Sequence, residues 1–520
     1  MNQLIKHLYK GFFSLITLFS LFFSTNLFAQ SHLNYEISFP DPSSGSYRVE
    51  MRISGLSANE LTLQMPRWMP GYYQLMDYGK NVQNLKAFSQ SGIELPVSHE
   101  DFSTWTISGI KSETLIVRYD IQTVRKFVAT SFVDKEHAYI VPTNSWLYPK
   151  GRLDLAPELK VILPDGWADV ATGLKEEGAL SYSAEDMDVF FDSPLLIGNL
   201  EELPSFEVAG VKHRFLAHQI GEFDKQDFIN RLQNSLEASV ELMGDIPFEE
   251  YTFISIGPGR GGIEHLNNTT FSLDGNQLQS EGAVNGAIAF LTHEYYHHYN
   301  AKRIRPVELG PFDYQKANRT TQLWVSEGLT VYYEYILMRR SGVINDEQFL
   351  SYFADLITRY ENDEGKSFQS LEESSYRTWD EGPFGQQGTA QDTTITYYEK
   401  GPVLGLLLDF AIRNASDNQQ SLDDVMRFMY NHYYKDLGRG FTDAEIREAC
   451  ENAAGMPLGE LFDYLQTTKV LDYQKYLQMA GLDLEKSKVD GKDKFTIVRS
   501  SDTNEKQSKI YKEWTEGNSH

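Results

Sequence analysis

Leu291-Thr292-His293-Glu294-Tyr295-Tyr296-His297-His298 sets two histidines four residues apart with a glutamate directly after the first. On a helix His293 and His297 share one face, so two imidazoles converge on one ion while Glu294 stands beside it. Val284, Ile288 and Leu291 precede them at helical spacing and predict a helix packed on a core. An H-E-x-x-H string arises by chance in roughly a few per cent of chains of this size and histidine content, so the pattern reads first as a metal site. The competing reading is a pair of surface histidines with no ligand.

A hydrolytic zinc centre needs a third protein ligand and an open fourth position for water. Glu327 is the foremost choice, a lone carboxylate in the apolar run Leu323 to Thr330 on what reads as the next long helix, through Met338. Glu334 is a weaker helical alternative. Glu308 and Asp313 lie nearer but flank the turn-like Gly310-Pro311. The single cysteine, Cys450, excludes an intramolecular disulfide and a thiolate cluster, so a metal must use histidine and carboxylate. In its helical stretch, Asp443 to Ala454, Cys450 reads as a small buried hydrophobe.

Outward from this centre the chain divides. Lys6 and Lys10, the apolar run Phe12 to Phe23 and Ala29 read as a secretory signal peptide over residues 1–29, with an uncleaved anchor as the alternative, which implies export to the periplasm or beyond. Residues 30–204 alternate with period two, as in Tyr47, Val49, Met51 and Ile53 or Leu115, Val117 and Tyr119, and predict a β-sandwich-like domain. From 205 to 470 the period changes. Phe228, Leu232, Leu236 and Val240 make a helical stripe, and a mixed, mainly helical α+β domain is expected, with a long polar loop over 365–394. Residues 471–520 read as a short C-terminal extension in which Asp490-Gly491, ahead of Phe495 to Val498, signals a hairpin.

With 47 Lys+Arg against 73 Asp+Glu the formal charge is -26, a field that repels nucleic acid and anionic lipid. No segment past residue 30 has the length and apolarity to cross a bilayer, so no membrane insertion is expected after signal cleavage. The basic run Lys302, Arg303, Arg305 reads as structural ion pairs before a substrate site.

Further motifs surround the metal helix: Pro66-Arg67-Trp68-Met69-Pro70-Gly71-Tyr72-Tyr73, Gly261-Gly262-Ile263-Glu264-His265 and Lys302 to Pro306. Gly310 to Tyr314, Trp324 to Thr330 and Tyr397-Tyr398-Glu399-Lys400-Gly401 complete the set. In this ordered combination the chain resembles the glycyl aminopeptidase family of zinc metallopeptidases, whose catalytic domain is similar to thermolysin and to the larger zinc aminopeptidases. The resemblance implies that His293, His297 and Glu327 ligate one zinc ion per chain and that Glu294 is the general base. It further implies that Tyr398 donates to the oxyanion, with Tyr397 as the fallback. Glu264 would bind the free α-ammonium of a peptide, with Gly261 and Gly262 beside it in the substrate cleft.

The chain departs from the family in two places. His265 stands where the larger aminopeptidases carry asparagine, and the 38 residues after Leu482 are too few for the PDZ-like domain usual in relatives. The expected activity is removal of N-terminal Gly or Ala from peptides with a free N-terminus. A zinc endopeptidase of the same fold, another hydrolytic activity at the same site and a catalytically silent peptide-binding protein are the alternatives.

Overall fold

The computed structural model describes residues 32–385 and 393–517. The segment read as a signal peptide lies outside them. Alternating side chains build the first domain: in strand Ser46–Ser54, Tyr47, Val49, Met51 and Ile53 are buried, while Arg48 and Arg52 face water. This strand pairs antiparallel with His32–Ser38 on one side and Thr114–Gln122 on the other, inside an eight-stranded sheet. Two four-stranded sheets accompany it, and Tyr35, Trp146 and Phe190 stack in the core.

A further, six-stranded sheet opens at Glu201–Glu202, which pairs with Val211–Ala217. From Val211–Ala217 the chain crosses over through helix α1 (Lys225–Met243) to the parallel strand Glu250–Ser255. Phe228, Leu232 and Leu236 of α1 are fully buried, as their four-residue spacing predicts. Asn268–Phe271 continues the sheet in parallel, and the short strand Gly262–Glu264 closes it antiparallel as the edge. That edge faces the H-E-x-x-H segment. Helix α2 (Glu281–Tyr296) starts at Ser280, whose side chain accepts from the Ala283 amide, and carries the H-E-x-x-H residues at its C-terminal end.

Beyond α2 the chain is helical. The polar stretch 365–394, expected as one long loop, contains the end of a 3-10 helix (Glu364–Ser367) and helix α3 (Leu371–Glu381). Ser370 and Glu373 form a reciprocal capping box that nucleates it despite the polar composition. Helix α4 (Tyr397–Ala415) follows. The last segment folds onto the same core. Leu482–Val489 and Lys492–Arg499 make a hairpin whose two turn residues, Asp490 and Gly491, both have positive φ. Trp514 of α5 (Glu505–Glu516) is fully buried against Phe349, Phe353 and Phe410 and donates through its indole N–H to Tyr332. No helix among the described residues is long and apolar enough to cross a membrane.

Candidate active site and metal centre

His293 and His297 emerge one turn apart from the buried end of α2. Their Nε2 atoms lie 2.9 Å apart, and Glu327 Oε2 is 3.2 Å from His297 Nε2 and 3.9 Å from His293 Nε2. Donors about 2.0–2.2 Å from a tetrahedral ion stand roughly 3.4 Å from one another, so this triangle suits a zinc-sized cation. Among the described residues these three form the one cluster with metal-ligand spacing. The Nδ1–H of His297 donates to the Asn300 carbonyl at 2.8 Å, which leaves its Nε2 lone pair facing the cluster. Asn300 also donates to the Val325 carbonyl at 2.7 Å and so ties the end of α2 to the segment carrying Glu327.

Glu327 sits on a π-helical turn, Trp324–Leu329, that leads into α-helix Thr330–Arg340. Such a turn is common where a side chain must be re-aimed at a site. It packs tightly on α4: a Cβ on Gly328 would lie 2.8 Å from the Gly401 Cα, and the converse is equally true. These two glycines let the helices approach until the Tyr398 hydroxyl donates to Glu327 Oε2 at 2.9 Å. Tyr397 points elsewhere, with its hydroxyl 3.1 Å from Thr378 Oγ1.

The other carboxylate oxygen, Glu327 Oε1, accepts from Tyr73 at 3.2 Å. Tyr73 belongs to the β domain, in left-handed backbone at φ 52°. Its approach is fixed by Trp68, a fully buried ring lying edge-on to Phe312 and Trp379 that donates to the Asp313 carbonyl at 2.8 Å. Neither Tyr73 nor Asn300 received a role from sequence, although Tyr73 closes the Pro66 to Tyr73 motif and Asn300 follows the metal helix by three residues.

Glu264 ends the edge strand and is only 5% exposed. Among the described residues it makes no ion pair and no side-chain hydrogen bond. Gly71 lies directly against it, since a Cβ there would stand 2.7 and 3.0 Å from its two carboxylate oxygens. Gly262, two residues earlier, leaves equally tight room: a Cβ would meet Phe290 at 2.6 Å and Glu294 Oε1 at 2.9 Å. Gly261, at φ 92°, turns the chain into the strand. Gly261, Gly262, His293, Glu294 and Tyr398 all line one cavity of about 420 Å³. Glu334 lines it too, with Oε2 3.4 Å from His293 Nδ1.

Four carboxylates therefore surround two imidazoles. Burial pushes the Glu294 carboxyl well above the usual carboxylate range; Glu264, Glu327 and Glu334 add to the rise against the pull of His297. Burial also raises Glu327, but His297, His293 and the Tyr398 hydroxyl overcome it and hold that carboxyl below its ordinary value. His297 shows the net field. Burial alone would depress it, yet Glu327, Glu264 and Glu294 push it up to about 10. The centre favours positive charge, as a site for a divalent cation must.

The remaining sequence candidates lie away from this cluster. Glu308 accepts from Thr320, and Asp313 turns its carboxylate back onto the Gln315 amide. Lys302 pairs with Asp192 at 2.6 Å, Arg303 donates to the carbonyls of Leu266 and His298, and Arg305 lies over the Phe312 ring. Cys450 is buried.

Residues 34–199 match the family model of the peptidase M61 N-terminal domain and residues 287–404 that of the M61 glycyl aminopeptidases. The chain belongs to the M61 glycyl aminopeptidase family. As a member of it, the protein is a peptidase. Its structure is similar to that of an aminopeptidase N family protein from Idiomarina loihiensis, at TM-score 0.82 and 27% identity over 87% of this chain and 79% of that one. An M1 zinc metallopeptidase from Deinococcus radiodurans shares the fold at TM-score 0.51 and 13% identity, over 85% of this chain and 94% of its own. No curated protein matches the chain.

Proposed function

We propose that this M61 peptidase is a zinc-dependent aminopeptidase that removes a small N-terminal residue, Gly or Ala, from peptides. One observation carries the exopeptidase reading. Glu264 is a buried carboxylate with no side-chain hydrogen bond and no Lys or Arg beside it among the described residues, and such a charge is costly until a ligand supplies its partner. The α-ammonium of a peptide supplies that charge and fixes register in the same contact. Gly71, pressed against the Glu264 carboxylate, leaves little room there for a side chain on the first residue.

His293, His297 and Glu327 would hold the metal, which when bound polarises the scissile carbonyl and acidifies a water molecule. Glu294, by its position beside that centre, takes the proton from the attacking water and passes it to the departing amine as the C–N bond breaks. Tyr398, whose hydroxyl already reaches the ligand carboxylate, donates to the carbonyl oxygen as negative charge grows on it. We further place the protein outside the cytoplasm, on the strength of the Lys6 to Ala29 segment. N-terminal sequencing of protein recovered from the native host tests that placement.

Hydrolysis of Gly-p-nitroanilide and its N-acetyl form by zinc-loaded protein tests the activity, with and without chelator. The expected result is chelator-sensitive cleavage of the free amine only, abolished in Glu294→Gln. Cleavage of both forms at similar rates would identify an endopeptidase, and a folded, metal-loaded protein that cleaves neither would overturn the aminopeptidase reading.

A further inference from the structure

The cavity beside the metal cluster is polar only at one end. His293, Glu294, Glu334 and Tyr398 form that end; the rest of its wall is mainly apolar, with Phe290, Val128, Phe127, Tyr72 and Phe384 coming from four separate stretches of chain. It follows the face of α2 away from the metal, past Phe290 one turn up to Gly286 two turns up. At Gly286 the wall is open, since a Cβ there would meet nothing within 4 Å. A peptidase has no need of so large an apolar chamber to hold water.

We propose that this cavity receives the side chain of the substrate's second residue, and that the enzyme selects peptides with a small first residue and a bulky apolar second one. The inference rests on the anchoring of the α-ammonium at Glu264 and extends it by one residue. Gly262 and Glu264 are two positions apart on the edge strand, about 6.6 Å along it. In an extended peptide the second Cα lies roughly 5 Å from the terminal nitrogen. A substrate lying along the edge strand with its ammonium at Glu264 therefore brings its second residue level with Gly262. Gly262 is the point where the strand touches Phe290 and Glu294, so a side chain leaving the substrate there enters the apolar chamber. Leucine or phenylalanine occupies its apolar part and displaces water from beside the departing amine, whereas glycine leaves it wet.

The test is kcat/KM of the zinc-loaded full chain for free-amine Gly-X amides with X = Gly, Ala, Leu and Phe, their N-acetyl forms, and the reversed peptide Phe-Gly amide. The expected outcome is a rise of about 10–100-fold from X = Gly to X = Phe or Leu. Gly286→Leu, which fills the chamber from its open wall, is expected to collapse the Phe/Gly ratio towards one. Phe290→Ala is expected to lower that ratio as well, with the thermal unfolding midpoint showing that each variant is folded. Equal rates across the free-amine series overturn this inference while leaving the aminopeptidase reading intact. Faster cleavage of Phe-Gly than of Gly-Phe assigns the chamber to the first residue and overturns it too. N-acetyl forms cleaved as fast as free amines remove the anchor at Glu264 and this inference with it.

Discussion

Asp192 and Glu264 are carboxylates buried on the two sides of the same contact between the β domain and the catalytic domain, and their surroundings are opposite. Asp192, in the β domain, receives Lys302 at 2.6 Å and His265 Nδ1 at 3.0 Å, both from the catalytic domain. Glu264, the residue before His265, receives no side-chain hydrogen bond and no Lys or Arg partner among the described residues. Neighbouring positions on one strand end thus serve different ends. The Asp192 cluster completes its charges within the fold and ties the two domains together, whereas Glu264 has no such pairing, which the proposed anchoring of a substrate ammonium would supply. Removing a carboxylate should therefore cost stability at one position and activity at the other.

The largest expected effect is at Glu264. Glu264→Gln keeps shape and removes the charge, and should lower kcat/KM for Gly-p-nitroanilide by about 10²–10³-fold, the usual loss when one partner of a buried charge pair is removed. Its unfolding free energy should fall little, because no hydrogen-bonded partner and no Lys or Arg is orphaned. An activity loss accompanied by an equal loss of stability would remove the contrast. Asp192→Asn should do the reverse. With Lys302 buried and abandoned, urea unfolding at pH 7 should show a loss of about 3 kcal/mol, with kcat/KM per folded molecule close to wild type.

The same pair makes a pH prediction. Burial raises the Asp192 carboxyl, but Lys302 and His265 outweigh it and hold it below the ordinary value. A group more acidic in the folded than in the unfolded chain stabilises the fold fully above the unfolded value, about 3.9 for aspartate, and loses that contribution as pH falls through the folded one. The stability gap between wild type and Asp192→Asn should therefore be constant from pH 7 to about 5 and shrink below about 4. A gap that widens in acid would contradict the assigned pairing.

The legibility of these elements in the sequence follows how local they are. Two histidines one turn apart need only a helix to meet, and the period of Val284, Ile288 and Leu291 marks that helix. Glu327 is a lone carboxylate in an apolar run, so its burial is legible, although the π-helical turn that aims it is not. Tyr398 is one of 30 tyrosines and is distinguished only by the family motif around it. The helix at Leu371–Glu381 was obscured because its polar composition hides a capping box. Burial of Trp514 depends on rings more than 100 residues away, which no local period reports.

Tyr73 is the least legible of all and makes the smallest prediction. Its hydroxyl reaches Glu327 across 254 residues of sequence because Trp68, five residues before it, is seated among the aromatic rings of the other domain. If Glu327 holds the proposed metal, Tyr73 acts as a positioning residue for it, and its loss should appear in metal affinity before it appears in stability. Tyr73→Phe removes one hydrogen bond to a ligating carboxylate and should weaken zinc affinity by about tenfold, read by competition with a chromophoric chelator. Tyr398→Phe removes the bond to the other oxygen of the same carboxylate and should weaken zinc affinity comparably, but should also lower kcat at saturating zinc. If both variants lose kcat equally under saturating metal, Tyr73 acts on the reaction itself; if only Tyr398→Phe does, the β domain's share in the centre is to hold Glu327 still.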